Sequence, residues 1–361
     1  MQTDDCVIKD NYLKNVNFGI SVSGKSAKVI GNTVENFAGD GLRGLGDYDL
    51  FEDNLIMNCY AVNSNHDDGF QSWSVGADGQ VGMGEVKGVI LRGNMIINYT
   101  DPNQPFRGTL QGIGCFDGFY TDWVVENNVI ITDHWHGITF SGAKNVRIIN
   151  NTVVDINETS PGPAWIRIGP HKNGTPSEGC IVRNNITMSL QVGSETISDH
   201  NLIIDFEWAK NYFRDYKRFD LHLTPDSPAI DIGETELAPA YDKDKVKRPY
   251  GEGIDLGAYE YVPTQSDAGI EDSKFEDVVE DILFTDSNSS DIKDTPSDAG
   301  ADVLIGDTVN DAVIMDVSTA DATTDIYIKD VQVSDVNIEI DVTENEGGTE
   351  ESSGCSCSVM E

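Results

Sequence analysis

Short segments of alternating apolar and small or polar residues recur along the first half of the chain. They occupy residues 19–22, 41–44, 69–72, 112–115, 137–140 and 165–168, and most begin with glycine. A period of two is typical of a strand with one buried face. One set of side chains should therefore point into a core: Ile20, Val22, Leu42, Phe70, Ile113, Ile138, Phe140, Ile166 and Ile168. The intervening side chains should point outward: Ser21, Arg43, Gln71, Thr139 and Arg167.

A second repeated unit, centred on asparagine, precedes each of these segments. Its members follow one another at intervals of 21, 22, 40, 34, 23 and 34 residues: Asn11, Asn32, Asn54, Asn94, Asn128, Asn151 and Asn185. Intervals in the low twenties correspond to one turn of a β-solenoid, and longer ones to a turn plus an insertion. Stacked turns lie ~4.8 Å apart, so the amides should form an internal ladder that satisfies buried backbone groups. With a third apolar strand between the two units, the pattern predicts an all-β parallel solenoid over residues 1–205.

Two segments of different texture follow the repeats. Residues 206–262 contain short apolar strands between Pro and Gly turns, and we expect a C-terminal cap on the last coil. Residues 263–361 are rich in Asp, Ser, Thr and Ala, which predicts a disordered acidic stalk ending in Cys355 and Cys357. The first repeat follows Met1 closely, with neither a cap nor a signal peptide, so we expect the natural protein to begin further upstream.

The net charge of −38 limits the partners of the chain. About 26 acidic and 3 Lys residues follow Val262, so the stalk carries about −23 and the body is only moderately acidic. Such a field repels nucleic acid and anionic membranes. No stretch approaches the ~18 apolar residues of a membrane helix. We therefore expect a monomer with no nucleic-acid partner and no membrane insertion.

The four cysteines of the body are too far apart in this register to form disulfides. Cys6 and Cys180 each lie five residues before a ladder Asn, but about six turns apart, which is nearly 30 Å along the axis. A disulfide needs Cα atoms within ~7 Å. We expect Cys6, Cys59, Cys115 and Cys180 to be buried as apolar side chains.

Polar residues that flank the strand glycines should line up on one face, because equivalent positions of successive coils stack. We call this set the polar strip, and its members are Asp40, Arg43, His66, Asp67, Asp68, Gln71, Trp73, Gln111, Asp117, Tyr120, His134, Trp135, His136, Arg167, His171 and Lys172. Insertions at residues 74–88 and 99–110 rise beside it, and the second carries Arg107. Four of the six His residues fall in the strip, which favours a functional site.

Structural roles compete with functional ones at each position. Asp40 and Asp68 precede glycines, so their role could be limited to shaping turns. The two His residues at 134 and 136 could be packed at a corner, and the Arg residues could pair with neighbouring carboxylates. Exposed Trp residues could be edge packing, although indole faces are also surfaces on which pyranose rings lie. The body has no Cys/His spacing suited to zinc.

The repeated Asn-Asn-x-Val/Ile and Gly-Ile-x-x segments resemble the right-handed parallel β-helix superfamily of pectate lyases, alginate-type lyases and epimerases, and related glycosidases. The resemblance covers roughly residues 5–205 and implies a single-stranded right-handed parallel β-helix that acts on a polysaccharide. Residues 227–233 and 254–261 resemble a segment that follows many secreted or surface-anchored bacterial β-helices. The Asp-rich stretch with Cys355 and Cys357 resembles a bacterial sorting tail. The resemblance thus implies a secreted or cell-surface location.

One reaction that the polar strip could support is β-elimination from a uronate. The substrate carboxylate must be neutralised and a base must remove the C5 proton. His136 or His134 could be that base, Arg167 with Gln111 or Arg107 the neutralising group, and Tyr120 the acid for the leaving oxygen. No cofactor is required, although Ca²⁺ on carboxylates of the strip could share the neutralising role: Asp40, Asp67 and Asp68. The expected substrate-binding residues are Gln71, Trp73, Arg107, Gln111, Trp135, His171 and Lys172.

Two other functions remain open at this point. The pairs at 67–68, 136–137 and 167–168 are similar to the Asp-Asp, His-Gly and Arg-Ile order of polygalacturonase-like hydrolases, which flank the bond with two carboxylates. An extra coil carrying Gln111 separates the Asp pair from His136, which departs from that family. The third possibility is a non-catalytic carbohydrate-binding or adhesive solenoid. Uronate is the favoured ligand because five basic side chains converge on the strip of an acidic protein: Arg43, Arg107, Arg167, His171 and Lys172.

Overall fold

The computed structural model describes residues 4–264 and two short paired strands, Met315–Asp316 and Ile340–Asp341. The predicted stalk, with Cys355 and Cys357, otherwise lies outside the described residues. The body is a right-handed parallel β-helix of eight coils, as the repeats predict. No helix in the described part is long and apolar enough to cross a membrane.

Three parallel sheets run the length of the β-helix. The first sheet holds eight strands, namely Val7–Lys9, Lys28–Ile30, Leu50–Glu52, Ile90–Arg92, Val124–Glu126, Arg147–Ile149, Ile181–Arg183 and Ile197–Asp199. The second also holds eight, namely Tyr12–Val16, Thr33–Phe37, Leu55–Cys59, Met95–Ile97, Val129–Thr132, Thr152–Asp155, Ile186–Thr187 and Leu202–Ile203. The third holds seven, namely Ile20–Val22, Leu42–Gly44, Asp68–Trp73, Gln111–Asp117, His136–Ser141, Trp165–Gly169 and Ser189–Val192.

A smaller sheet lies between the third and first sheets in the middle coils. It contains Glu85–Lys87, Phe119–Thr121 and Ala143–Lys144. After the last coil come a helix, Phe206–Tyr212, and an antiparallel pair, Phe213–Asp215 with Asp220–Leu223. A 3-10 turn, Tyr216–Arg218, joins these two strands.

The asparagine ladder forms where the first sheet turns into the second. Each side-chain amide donates to the amide oxygen of the next rung, for example Asn94 to Asn128 at 2.9 Å and Asn128 to Asn151 at 3.0 Å. The row extends one rung beyond the predicted set, because Asn185 donates to Asn201 at 2.9 Å. The residue before each rung has a positive φ, such as 56° at Asn127, which explains why Asp, Gly or Asn mostly precedes the ladder residue.

The interior of the coils is apolar, as the alternation predicts. All nine side chains expected to point inward are buried, and the largest buried groups include Trp123, Tyr120 and Phe140 in edge-to-face contact. Cys59, Cys115 and Cys180 form no disulfides and have no exposed surface, whereas Cys6, which was also expected to be buried, is only partly buried. Burial of these apolar side chains along the axis of the solenoid provides the main driving force for stacking of the coils.

The C-terminal segment covers more than the end of the solenoid, which corrects the expectation of a cap on the last coil. Leu221, Leu223 and Leu256 pack in one buried cluster with residues of the second sheet, including Val129 and Val154. Lys245 reaches back to Asp53, with 2.7 Å between the amine and the carboxylate. The segment therefore lies along the outer face of the second sheet. Strands such as Val129–Thr132 are consequently buried on both faces, which explains their continuous apolar sequence.

Candidate functional site

The outward face of the third sheet holds most of the polar strip, in the register that stacking predicts. Asp68 lies opposite Gln111 across neighbouring strands. In the coils beyond, Thr139 lies opposite Arg167, so Arg167 is three places along the strand from His136. The face is left open by the C-terminal segment, which packs on the second sheet.

Asp68 and His66 form the most tightly held polar pair on this face. His66 Nδ1 lies 2.9 Å from Asp68 Oδ2, which also accepts from Gln71 Nε2 at 3.0 Å. The Asp68 carboxylate is fully buried, whereas the imidazole is 55% exposed. Burial raises the pKa of Asp68 to about 7, and the hydrogen bond to Asp68 raises the pKa of His66. The amide nitrogen of Gln111 contacts His66 Nε2 on the other side of the ring.

Asp40 is committed to Arg43 and to the backbone. Arg43 Nε donates to Asp40 Oδ2, and the backbone N–H of Asp68 donates to Asp40 Oδ1 at 3.3 Å. The Arg43 guanidinium also lies over the rings of Phe18 and Trp73, 4.1 and 5.0 Å from their centroids. Arg43 therefore forms the ion pair with a neighbouring carboxylate that was the alternative to a ligand-binding role.

His134 and His136 are stacked, with ring centroids 5.1 Å apart. His134 Nδ1 accepts the backbone N–H of His136 at 3.1 Å, so the neutral ring carries its proton on Nε2. His136 Nδ1 lies 2.9 Å from Thr139 Oγ1, which already accepts the indole N–H of Trp165 at 3.0 Å. The buried Thr139 hydroxyl has no other acceptor among the described residues, so it donates to His136 Nδ1, and His136 also carries its proton on Nε2. Burial lowers the pKa of both rings to about 4, so both are neutral donors at pH 7.

Two indoles lie parallel on successive coils at the far end of the strip. Trp135 and Trp165 have ring centroids 6.4 Å apart and planes inclined by 20°. Trp135 is 40% exposed, and the Arg167 guanidinium lies 5.6 Å from the centre of the Trp165 ring. Within residues 4–264, Arg167 has no carboxylate within salt-bridge distance, in contrast to Arg43. An indole surface beside an unpaired guanidinium suits an anionic sugar.

Three other residues of the predicted site are not on the open face of the third sheet: Tyr120, His171 and Arg107. Tyr120 is fully buried and its hydroxyl donates to the carbonyl oxygen of Ser72 at 2.8 Å, so it cannot protonate a leaving group on the surface. His171 is buried too, because its Nε2 contacts the carbonyl oxygen of Gly82 at 2.8 Å and its ring stacks on Phe119.

Arg107 is held within its own insertion. It donates to the carbonyl oxygen of Pro102 at 2.9 Å and lies over the ring of Tyr99. Its role as neutralising group therefore has no support in this geometry. Lys172 does remain near the strip, where it pairs with Asp117 at 2.6 Å.

The three carboxylates expected to bind Ca²⁺ do not form a metal site. Asp40 and Asp68 use oxygen atoms for the contacts above, and Asp67 Oδ2 accepts from the Cys59 thiol at 3.4 Å. Burial raises the pKa of Asp67 to about 6, which disfavours the charged form that a metal needs. Residues 4–264 contain no group of three His, Cys, Asp or Glu side chains placed to hold a metal ion. We therefore do not propose calcium here.

A shallow cleft of about 220 Å³ lies between the third sheet and the insertion at 74–88. Its lining includes Gln71, Trp73, Val81, Phe116 and Asp117. Two predicted substrate-binding residues, Gln71 and Trp73, thus border an open space at one end of the strip. His171 contacts the carbonyl oxygen of Gly82 in this insertion and therefore has a structural role.

The sequence did not single out all the residues that connect the site. Phe116 lies between two histidines, with its ring centroid 6.3 Å from His66 and 4.9 Å from His136. Thr139 was expected to be exposed, but His136 and Trp165 cover it and leave only 1% of its surface accessible. The position of His66, two residues before Asp68, was the available signal for its pairing.

One solved structure and one family model are similar to this chain. The crystal structure of pectate lyase Pel9A is similar to this chain, with a TM-score of 0.40 and 17% sequence identity over 70% of this chain and 72% of that chain. No curated protein matches the sequence. The family model of the right-handed beta helix region matches residues 2–185, just over half of the chain. The protein therefore belongs to the right-handed β-helix family.

Proposed function

We propose that this protein is an extracellular polysaccharide lyase that cleaves a uronate-containing polymer by β-elimination on the face of the third sheet. The observation that carries the proposal is Arg167, a guanidinium without a carboxylate partner among the described residues, on the face of a strongly acidic protein. A group of this kind is suited to bind an anionic ligand. The polymer would lie along the coils, whose ~4.8 Å spacing is close to the length of a sugar residue.

The proposed binding of the uronate carboxylate uses three donors. Arg167 supplies a positive charge, and neutral His134 and His136 supply Nε2–H groups. Neutralising the carboxylate makes the C5 proton acidic, which is the main electrostatic requirement of the reaction. Trp135 and Trp165 would hold the pyranose ring in place through their faces.

Hydrolysis is less well supported by the same face. A glycosidase needs two carboxyl groups that reach the scissile bond from either side. The candidate carboxylates of the strip, Asp40, Asp67 and Asp68, are buried and engaged with neighbouring side chains or backbone. A binding protein without catalysis would need the indoles and Arg167 but not the histidines.

A panel of polyuronates and neutral glycans separates these functions. We expect ultraviolet absorbance of an unsaturated uronate together with new reducing ends on at least one polyuronate. New ends without absorbance would indicate a hydrolase. Retention on a glycan column without either signal would indicate a binding protein and would contradict the proposed elimination.

A further inference from the structure

His66 differs from the other histidines of the strip in the nitrogen that it exposes. Its Nδ1 faces the Asp68 carboxylate at 2.9 Å and therefore carries the ring proton. In the neutral ring Nε2 therefore holds the lone pair, and it lies beside the amide of Gln111. His134 and His136 have the opposite arrangement, with Nδ1 accepting and Nε2 protonated. Of these three rings, His66 is thus the one prepared to accept a proton from a ligand.

The carboxylate behind His66 is held in place from several sides. Gln71 donates to Asp68 Oδ2, and the backbone N–H of Asp68 is held by Asp40. Gly114 lies directly against the carboxylate, because a Cβ atom there would be 2.2 Å from Asp68 Oδ1. Asp68 Oδ1 itself has no hydrogen-bond partner among the described residues. A buried carboxylate with so few donors interacts strongly with the ring that it orients.

The surroundings of His66 also place it within the proposed site. Its ring is more than half exposed on the outer face of the third sheet. Phe116 lies between His66 and His136 and contacts both rings edge-to-face. A uronate ring that lies over Phe116 would therefore have its carboxylate toward His136 and Arg167 and its C5–H toward His66.

We propose that His66 is the catalytic base of this site and that Asp68 is its positioning residue. This inference rests on the proposed β-elimination. His66 Nε2 takes the proton from C5, after Gln111 has released that nitrogen to the substrate. The electrons of the C5–H bond form the C4–C5 double bond, and the C4–O bond breaks. The leaving oxygen takes the electron pair of that bond and then the proton that the His66 imidazolium returns.

The catalytic test compares His66→Ala with wild type and with a matched control. We expect His66→Ala to lower kcat by about 10³-fold, with oligouronate affinity within a few-fold of wild type and with the cooperative unfolding transition retained. Added imidazole should restore part of the rate, which a purely structural role would not allow. Asp68→Asn should lower kcat while KM stays nearly constant. The control is His200→Asn, an exposed histidine on another face, which should keep full activity.

A second measurement examines the assignment without substrate. Nitrogen NMR of the ¹⁵N-labelled protein at pH 8 should show a protonated Nδ1 on His66 and a protonated Nε2 on His134 and His136. The opposite tautomer on His66 would overturn the proposal. So would a His66→Ala variant that stays active, or one that loses activity without rescue by imidazole. A wild-type protein that forms no unsaturated product on any polyuronate would instead reject the elimination itself, and the role of His66 with it.

Discussion

At the scale of single residues, hydrogen-bond partners rather than residue type determine what each side chain can do. Arg43 and Arg167 occupy the same outward row of the third sheet, yet Arg43 is neutralised by Asp40 and Arg167 is not. Likewise, His66 exposes an Nε2 that can accept a proton, whereas His134 and His136 carry a proton on Nε2. A site made of similar residue types therefore contains groups with distinct chemical roles.

Replacing Arg167 tests its proposed role in binding the substrate carboxylate. We expect Arg167→Ala to lower kcat/KM by at least about 10²-fold, because a charge-assisted contact to the substrate is lost. The Tm should change little, since the side chain is partly exposed and has no ion pair among the described residues. Arg147→Ala, on the exposed side of the first sheet, is the matched control and should retain activity. Full activity of Arg167→Ala would exclude the proposed contact.

His136 offers a second test at this scale. Its proposed Nε2–H donor contacts the substrate, so His136→Ala should strongly reduce turnover on the polyuronate panel. The ring is half-buried against Trp165 and Phe116, and we expect a loss of stability of about 1 kcal/mol measured by denaturant unfolding. A variant that unfolds instead would show that the residue mainly supports the fold.

Asp49 connects a single buried group to the pH dependence of stability. Its Oδ1 accepts the backbone N–H of Ala27 at 2.8 Å, Oδ2 lacks a partner among the described residues, and burial raises its pKa to about 7. The folded state thus holds a proton that the unfolded state, with a pKa near 3.9, releases. This contribution is present at low pH and is lost as the pH rises toward 7. The free energy of unfolding of Asp49→Asn minus that of wild type, measured by urea unfolding, should be at least ~1 kcal/mol larger at pH 8 than at pH 5. Equal differences at both pH values would contradict it.

At the scale of structural elements, the asparagine ladder determines how one coil sits on the next. Every interior rung both donates to and accepts from its neighbours, and its amide also reaches a buried backbone carbonyl, as Asn128 does with Leu91 at 2.9 Å. Buried turns without such side chains would leave backbone groups unsatisfied. The ladder is therefore a stabilising element as well as a marker of register.

Removing one interior rung should destabilise the whole solenoid. Asn128→Ala leaves Asn94 without its acceptor and the Leu91 carbonyl without its donor, so we expect a loss of about 3 kcal/mol or more in the free energy of unfolding. Asn11→Ala, at the partly exposed first rung, should cost under ~1 kcal/mol. Denaturant titration of both variants provides the comparison. Similar losses for the two would show that burial of the rung is unimportant.

At the scale of the whole molecule, the charge and the core are separated along the chain. The described apolar clusters end at Tyr261, whereas most of the net negative charge follows Val262. Repulsion among like charges favours expansion rather than compaction. We propose that residues 263–361 contribute nothing to folding of the β-helix.

Truncation after residue 264 tests this division. The shortened chain should melt cooperatively, with a Tm within about 2 °C of the full chain or slightly above it. Limited proteolysis of the full chain should yield a stable core that ends near Val262. Loss of the cooperative transition after truncation would show that the acidic segment supports the fold.

The coil register was determined by the sequence itself. Strand alternation and the Asn intervals are local, periodic signals, and each coil repeats the same turn with a positive φ before the ladder residue. Because stacking brings equivalent positions together, the sequence also predicted that polar residues flanking the strand glycines would line up, as Asp68 and Gln111 do. A periodic sequence thus determines which positions of neighbouring coils lie opposite each other.

Only the tertiary structure decided which of these polar residues could act. Tyr120 is buried because its side chain packs in the core against Trp123 and Phe140, and His171 because it packs on Phe119 and contacts Gly82 of the insertion. The C-terminal segment packs on the second sheet because that sheet carries apolar residues on its outer face. The proton positions on His66, His134 and His136 depend on residues two or three places along the chain, and on Gln111 and Trp165 from neighbouring coils. The contacts of Gln111 with His66 and of Trp165 with Thr139 join residues 45 and 26 places apart in sequence, and no local pattern encodes them.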